Sequence, residues 1–108
     1  MPMILTVLEA QVVPECEPAL RTAYEEAVRN PRPLGLLSST LLRTIVDPTL
    51  WRIETLWSSR AALDALRGTG TPRGIQIFRA AGAEPAVTVL EVVAVLPPPP
   101  AGIPSSAP

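Results

Sequence analysis

The chain has no histidine and no lysine, and only one cysteine, Cys16. Missing histidine removes His-based triads, histidine metal sites and histidine ligation of haem in one step. A single cysteine excludes an internal disulfide. The opening stretch MPMILTVLEAQVV has no basic segment and is broken by Glu9. It reads as a strand rather than a targeting signal, and a cytoplasmic protein is expected. No apolar run approaches the roughly 20 residues that a membrane span needs, so no membrane partner is expected. Nine arginines stand against ten acids, a net charge of −1. Without a basic stripe, nucleic acid is not an expected partner either. Aromatics are scarce: two tryptophans, one tyrosine and one phenylalanine.

What remains is a small chain with a large apolar share. Hydrophobic residues make up 47% and charged ones 18% of 108 residues, which suits one packed domain. That domain is expected over residues 1–96. The end, PPPPAGIPSSAP at 97–108, cannot form a core element and is expected as a polyproline II or mobile tail.

Residues 3–13 read as a strand. Leu5, Val7, Glu9 and Gln11 share one face, and Ile4, Thr6, Leu8, Ala10 and Val12 the other. Pro14 ends it. Ala19, Leu20, Ala23, Tyr24, Ala27 and Val28 then form the stripe of an amphipathic helix that Asn30 and Pro31 stop. LLSSTLLRTI at 36–45 and LWRIETLW at 50–57 are strands joined by the turn signal DPT, hence a hairpin. Ser58 or Ser59 caps a second helix, RAALDALRG, with Ala62, Leu63 and Leu66 inward. RGIQIFRAAG admits two readings, a short helix with Ile75, Phe78 and Ala81 on one side, or a strand over IQIF. AVTVLEVVAVL at 86–96 is a last strand. The order implies an α+β, ferredoxin-like split βαββαβ fold, a four-stranded antiparallel sheet with its helices on one face. The other face would carry a large apolar patch. A homodimer with the open sheet faces turned together is the expected remedy.

Parity sends Trp51, Ile53, Thr55 and Trp57 toward the helices and Arg52, Glu54 and Leu56 toward the open face. The same reasoning groups Glu9, Arg43 and Glu91 with Glu54 there, one charge from each strand. A carboxylate among apolar walls can act as a general base. Arg43 could hold an enolate or phenolate oxygen. The alternative is that these charges pair across strands, with Arg43 and Glu54 as ordinary hairpin partners. Leu41, Leu56, Tyr24, Trp57 and Phe78 are the expected lining for a small hydrophobic ligand, expected in the cavity between the facing sheets of the dimer, Tyr24 with its hydroxyl at the edge of the helix stripe. No metal site or cofactor is expected. GTGTPRG at 68–74 matches neither a dinucleotide fingerprint nor a P-loop, and Cys16 has no partner base.

WRIETLWSSRAALDALRGTGTPRG resembles the signature of the antibiotic biosynthesis monooxygenase-like family. The matching features are Trp57 at a strand end, the cap at Ser58–Ser59, AALDAL at 61–66, and Glu91-Val92-Val93 in the last strand. The resemblance implies a dimeric α/β barrel of ferredoxin-like subunits. Its members include cofactor-independent oxygenases of aromatic polyketides and related phenols, and haem-degrading enzymes. Leu66 and Arg73 stand where histidines are common in that family, and Thr55 where an acidic residue is usual. The resemblance therefore implies cofactor-independent oxygenation of a polyketide- or quinol-like molecule rather than haem degradation. A non-catalytic ligand-binding or stress-related dimer is the alternative.

Overall fold

The two central strands alternate cleanly between core and open face, and the domain is built around them. The computed structural model describes residues 2–96. Met1 and the tail expected at 97–108 lie outside the described residues. In chain order come β1 (Ile4–Gln11), a single 3-10 turn (Pro14–Cys16), α1 (Glu17–Arg29), β2 (Leu36–Arg43), β3 (Leu50–Trp57), α2 (Arg60–Arg67), α3 (Arg73–Ala80) and β4 (Ala86–Glu91). The strands form one antiparallel sheet in the order β2-β3-β1-β4. This is the expected ferredoxin-like fold.

Ile4, Leu8 and Ala10 of β1 and Trp51, Ile53 and Trp57 of β3 are buried on one side of the sheet. Leu20 of α1, Leu63 of α2 and Ile77 and Phe78 of α3 are buried against them. Ser59 starts α2, its Oγ accepting the Ala62 N–H at 3.2 Å. The β2–β3 turn is held by Asp47, which accepts from the Thr49 hydroxyl at 2.7 Å and the Thr49 N–H at 3.1 Å. Those bonds favour the charged form and lower the Asp47 pKa from its ordinary 3.8.

The ambiguous segment after Pro72 is helix. As a strand, IQIF would bury Ile75 and Ile77 and turn Phe78 outward. The helix buries Ile77, Phe78 and Ala81 together at i, i+1 and i+4. It also lets Gly74 lie directly on β1, where an added Cβ would come 2.5 Å from Leu8 Cδ1. The last strand stops at Glu91 rather than 96. Its one partner, β1, begins at Ile4, which pairs with Glu91, and only the Val92 N–H to Met3 oxygen bond continues the ladder.

Register overturns the expected parity of both edge strands. Residues directly opposite in an antiparallel pair point to the same face. Arg43 lies opposite Trp51 and Leu41 opposite Ile53, so both project toward the helices. Glu91 lies opposite Ile4, so it too belongs to the helix side. The irregularity between Leu36 and Ser38 lets Leu36 stand with Trp57 and Ser38 with Leu56. The open face therefore carries two of the expected four charges, Glu9 and Glu54. Beside them run Leu90, Leu5 and Leu56 in one row across three strands.

Candidate functional site

Between the sheet and the helix layer lies a cavity of about 300 Å3. Its apolar walls are Leu8, Ile53, Trp57, Leu63 and Ile77, all buried, with Leu36, Leu66 and Ile75 around them. One row of the sheet breaks this surface. Ser39 pairs with Thr55, and Thr55 with Thr6, so three strands place a hydroxyl side by side along the cavity wall, Thr6 and Thr55 buried and Ser39 exposed.

These hydroxyls are wired to the aromatic residues. The Trp57 indole N–H donates to Thr6 Oγ1 at 3.1 Å, and Thr6 donates to the Thr55 carbonyl at 3.4 Å. Tyr24, arriving from α1, donates to Ser39 Oγ at 3.2 Å, and Thr55 Oγ1 donates to the same atom at 3.4 Å. Ser39 thus accepts two bonds and keeps its own hydrogen for a further acceptor. No buried side-chain nitrogen or oxygen among the described residues lacks a partner. The cavity opens past exposed residues that include Val28, Asn30, Arg32, Arg67 and Arg73, with Ser38, Ser39 and Val87 exposed on the sheet side. Among the described residues no aspartate or glutamate lines it.

The candidates from sequence fall in several places. Tyr24 and Trp57 line the cavity. Leu41 packs against the main core cluster, Leu56 lies on the open face, and Phe78 is fully enclosed in the core, so none of these three lines it. Glu9 and Glu54 flank Arg52 on the open face, at 2.6 Å and 3.7 Å. The hydrogen bond to Glu9 raises the Arg52 pKa above its ordinary value. Arg43 reaches neither glutamate. It lies 3.0 Å from Glu17 of α1, with its guanidinium 5.4 Å from the Trp51 ring centroid, while Arg21 stands 5.5 Å from the same ring. That cluster ties α1 to the sheet and leaves Arg43 no place in a site with Glu54. Glu91 borders a separate depression with Ile4 and Arg60. The four charges expected to share one space are therefore dispersed over both faces. Among the described residues no three His, Cys, Asp or Glu side chains gather as metal donors would.

Ser39, Thr55 and Thr6 were not singled out from sequence, nor was Arg67 or Arg73 as a cavity residue. A signal existed for two of them. Thr6 and Thr55 each interrupt an otherwise apolar core face, and a polar residue in such a position needs a partner.

Residues 3–83 match the sequence profile of the family described as antibiotic biosynthesis monooxygenase. No curated protein matches the chain. Solved structures do. A candidate antibiotic biosynthesis monooxygenase from Caulobacter crescentus is 21% identical with a TM-score of 0.67, over 86% of this chain and 92% of that one. SnoaB from Streptomyces nogalater, a cofactor-independent oxygenase, is 18% identical with a TM-score of 0.61, over 90% of this chain and 99% of its own. A third, from Deinococcus radiodurans, is 15% identical with a TM-score of 0.65, over 87% and 96%. At these identities the likeness is one of fold.

Proposed function

Because the chain belongs to the antibiotic biosynthesis monooxygenase family, we propose that it binds a small aromatic, polyketide- or quinol-like molecule in the cavity beneath its helices and oxygenates it without a cofactor. The observation that carries this reading is the cavity itself. Its volume of about 300 Å3 lies at the lower end of small-ligand pockets, and its walls are apolar with a few convergent hydroxyls. Its buried inner walls shield from water the apolar body of a substrate that forms a stabilised carbanion. An acidic CH2 of the substrate loses one proton to solvent, and the carbanion adds dioxygen to give a peroxide anion. That anion takes a proton back from solvent, and the hydroperoxide loses water to leave a ketone. The Ser39 hydroxyl, held by Tyr24 and Thr55, is placed to donate to the enolate oxygen. The oxygenase activity of SnoaB, a protein of similar fold, supports the same chemistry.

The open sheet face is proposed as the surface of a homodimer. Leu90, Leu5 and Leu56 form an apolar row there, with the Glu9–Arg52–Glu54 cluster beside it. A second copy on that face leaves the cavity mouth on the opposite side free. No described helix is long and apolar enough to cross a membrane, and a cytoplasmic setting suits the lone, unpaired Cys16.

One observation favours a second reading, a binder without catalysis: among the described residues the lining offers no carboxylate as a base. Oxygen uptake with dithranol, an anthrone, separates the two. Catalysis predicts uptake above the buffer rate, slowed about tenfold or more by Ser39→Ala and by Tyr24→Phe. Dithranol that binds without raising uptake would leave a binding protein.

A further inference from the structure

We propose that the ligand of this cavity is an anion, an aromatic acid with its rings on the apolar walls and its carboxylate among Arg32, Arg67 and Arg73 at the mouth. The inference rests on the cavity being a ligand site, as proposed above, and names the class of molecule it takes.

The arginines divide into two groups. Arg21 and Arg43 meet Glu17, Arg52 meets Glu9 and Glu54, Arg60 meets Asp64 and Arg79 meets Glu84. Arg29, Arg32, Arg67 and Arg73 meet no carboxylate among the described residues, and all but Arg29 line the cavity. Scarcity of acids does not explain this, because the chain holds ten of them against nine arginines. Among the described residues, acids stand beside every arginine away from the cavity except Arg29, and none lines the cavity.

Nor does a local basic run explain it. Arg32 stands in the loop after α1, Arg67 in the last turn of α2 and Arg73 at the start of α3. Only the tertiary fold brings them to one opening. Arg73 Nη1 donates to the Ala27 carbonyl at 3.4 Å and Arg32 Nη1 to the Leu37 carbonyl at 3.5 Å. Each of these long single contacts uses one donor and leaves the others of its guanidinium free. Like charges gathered at an apolar opening repel one another, and an anion at that place relieves the repulsion. The planar guanidinium fork matches a carboxylate. The uncharged walls behind it leave room for an apolar body and nothing to hold a second charge.

The test compares 2-naphthoate with 2-naphthamide, its uncharged counterpart of nearly the same shape, by titration calorimetry. The acid is expected to bind about tenfold or more tightly. The double variant Arg67→Gln/Arg73→Gln is expected to bring the acid down to the amide and leave the amide unchanged. Both side chains are exposed, and a thermal melt confirms that the variant keeps its fold. In the unaltered protein, raising salt from about 0.05 M to about 0.5 M should weaken the acid alone. Equal binding of acid and amide overturns the inference while leaving the cavity as a ligand site. So does a preference for the acid that survives both the double variant and salt. If neither compound binds, the ligand-site reading falls with it.

Discussion

Replacing Phe78 with alanine is expected to destabilise the domain by about 3–5 kcal/mol. Phe78 is fully enclosed, packed among Leu8, Leu20, Trp51, Ile53 and Ile77. Removing its ring deletes the apolar contacts and leaves a void that a close-packed core fills only in part. Small domains of this kind have about 5–15 kcal/mol in total, so much of the reserve would go. Urea unfolding monitored by tryptophan fluorescence measures the loss. The size of the effect also decides a role. As a pocket wall exposed to a ligand, Phe78 would cost far less stability and more affinity. A loss below about 1 kcal/mol would show that the ring is not core.

Gly35→Ala is expected to cost about 2–6 kcal/mol, and to loosen the cavity as it does so. Gly35 precedes β2 with φ at +87°, a conformation that L side chains adopt only under strain of about 1–3 kcal/mol. A Cβ there would also overlap the Ala62 Cβ in the first turn of α2 and press on Ser58 Oγ at 3.1 Å. Overpacking of that kind adds about 1–3 kcal/mol. The Gly35 carbonyl accepts the Ser58 N–H at 2.8 Å, so the junction cannot simply slide apart. The strain is therefore expected to displace α2, which supplies Leu63 and Leu66 to the cavity. Pairing Gly35→Ala with Ala62→Gly removes the overlap but not the backbone strain. The two changes should show a favourable coupling in a double-mutant cycle. Strict additivity of the two losses in urea unfolding would contradict the contact.

The central strand β3 could be read from sequence because Trp51, Arg52, Ile53 and Glu54 alternate and the tryptophans, Ile53 and Thr55 share one parity. Its bounds and the direction of Trp51, Ile53, Thr55 and Trp57 agree with the structure. The edge strands could not be read so well. LLSSTLLR and AVTVLE place apolar residues on both faces, so alternation alone does not choose a side. Register chooses it, and register depends on the 44–49 turn and the irregularity at Leu36/Ser38. This is why Arg43 and Glu91 were expected on the open face and stand on the other. The IQIF run was too short for its period to separate helix from strand. Tyr24 and Trp57 line the cavity, and each could be picked out in the sequence as a large aromatic on an apolar face. The hydroxyl row was not, since Ser39, Thr55 and Thr6 become one feature only when three strands align. The arginine mouth is further still from sequence, assembled from a loop and two helix ends.

That the ligand sits under the helices rather than on the open sheet face is tested most directly by the two tryptophans. Trp57 lines the cavity, and Trp51 is buried between Arg21 and Arg43 away from it. Their indole N–H groups give one proton–nitrogen resonance each. Titration of the 15N-labelled protein with 2-naphthoate should shift the Trp57 resonance progressively and leave that of Trp51 in place. An unmoved Trp57, with shifts instead at Leu5, Val7 and Leu56 of the open face, would contradict a helix-side site.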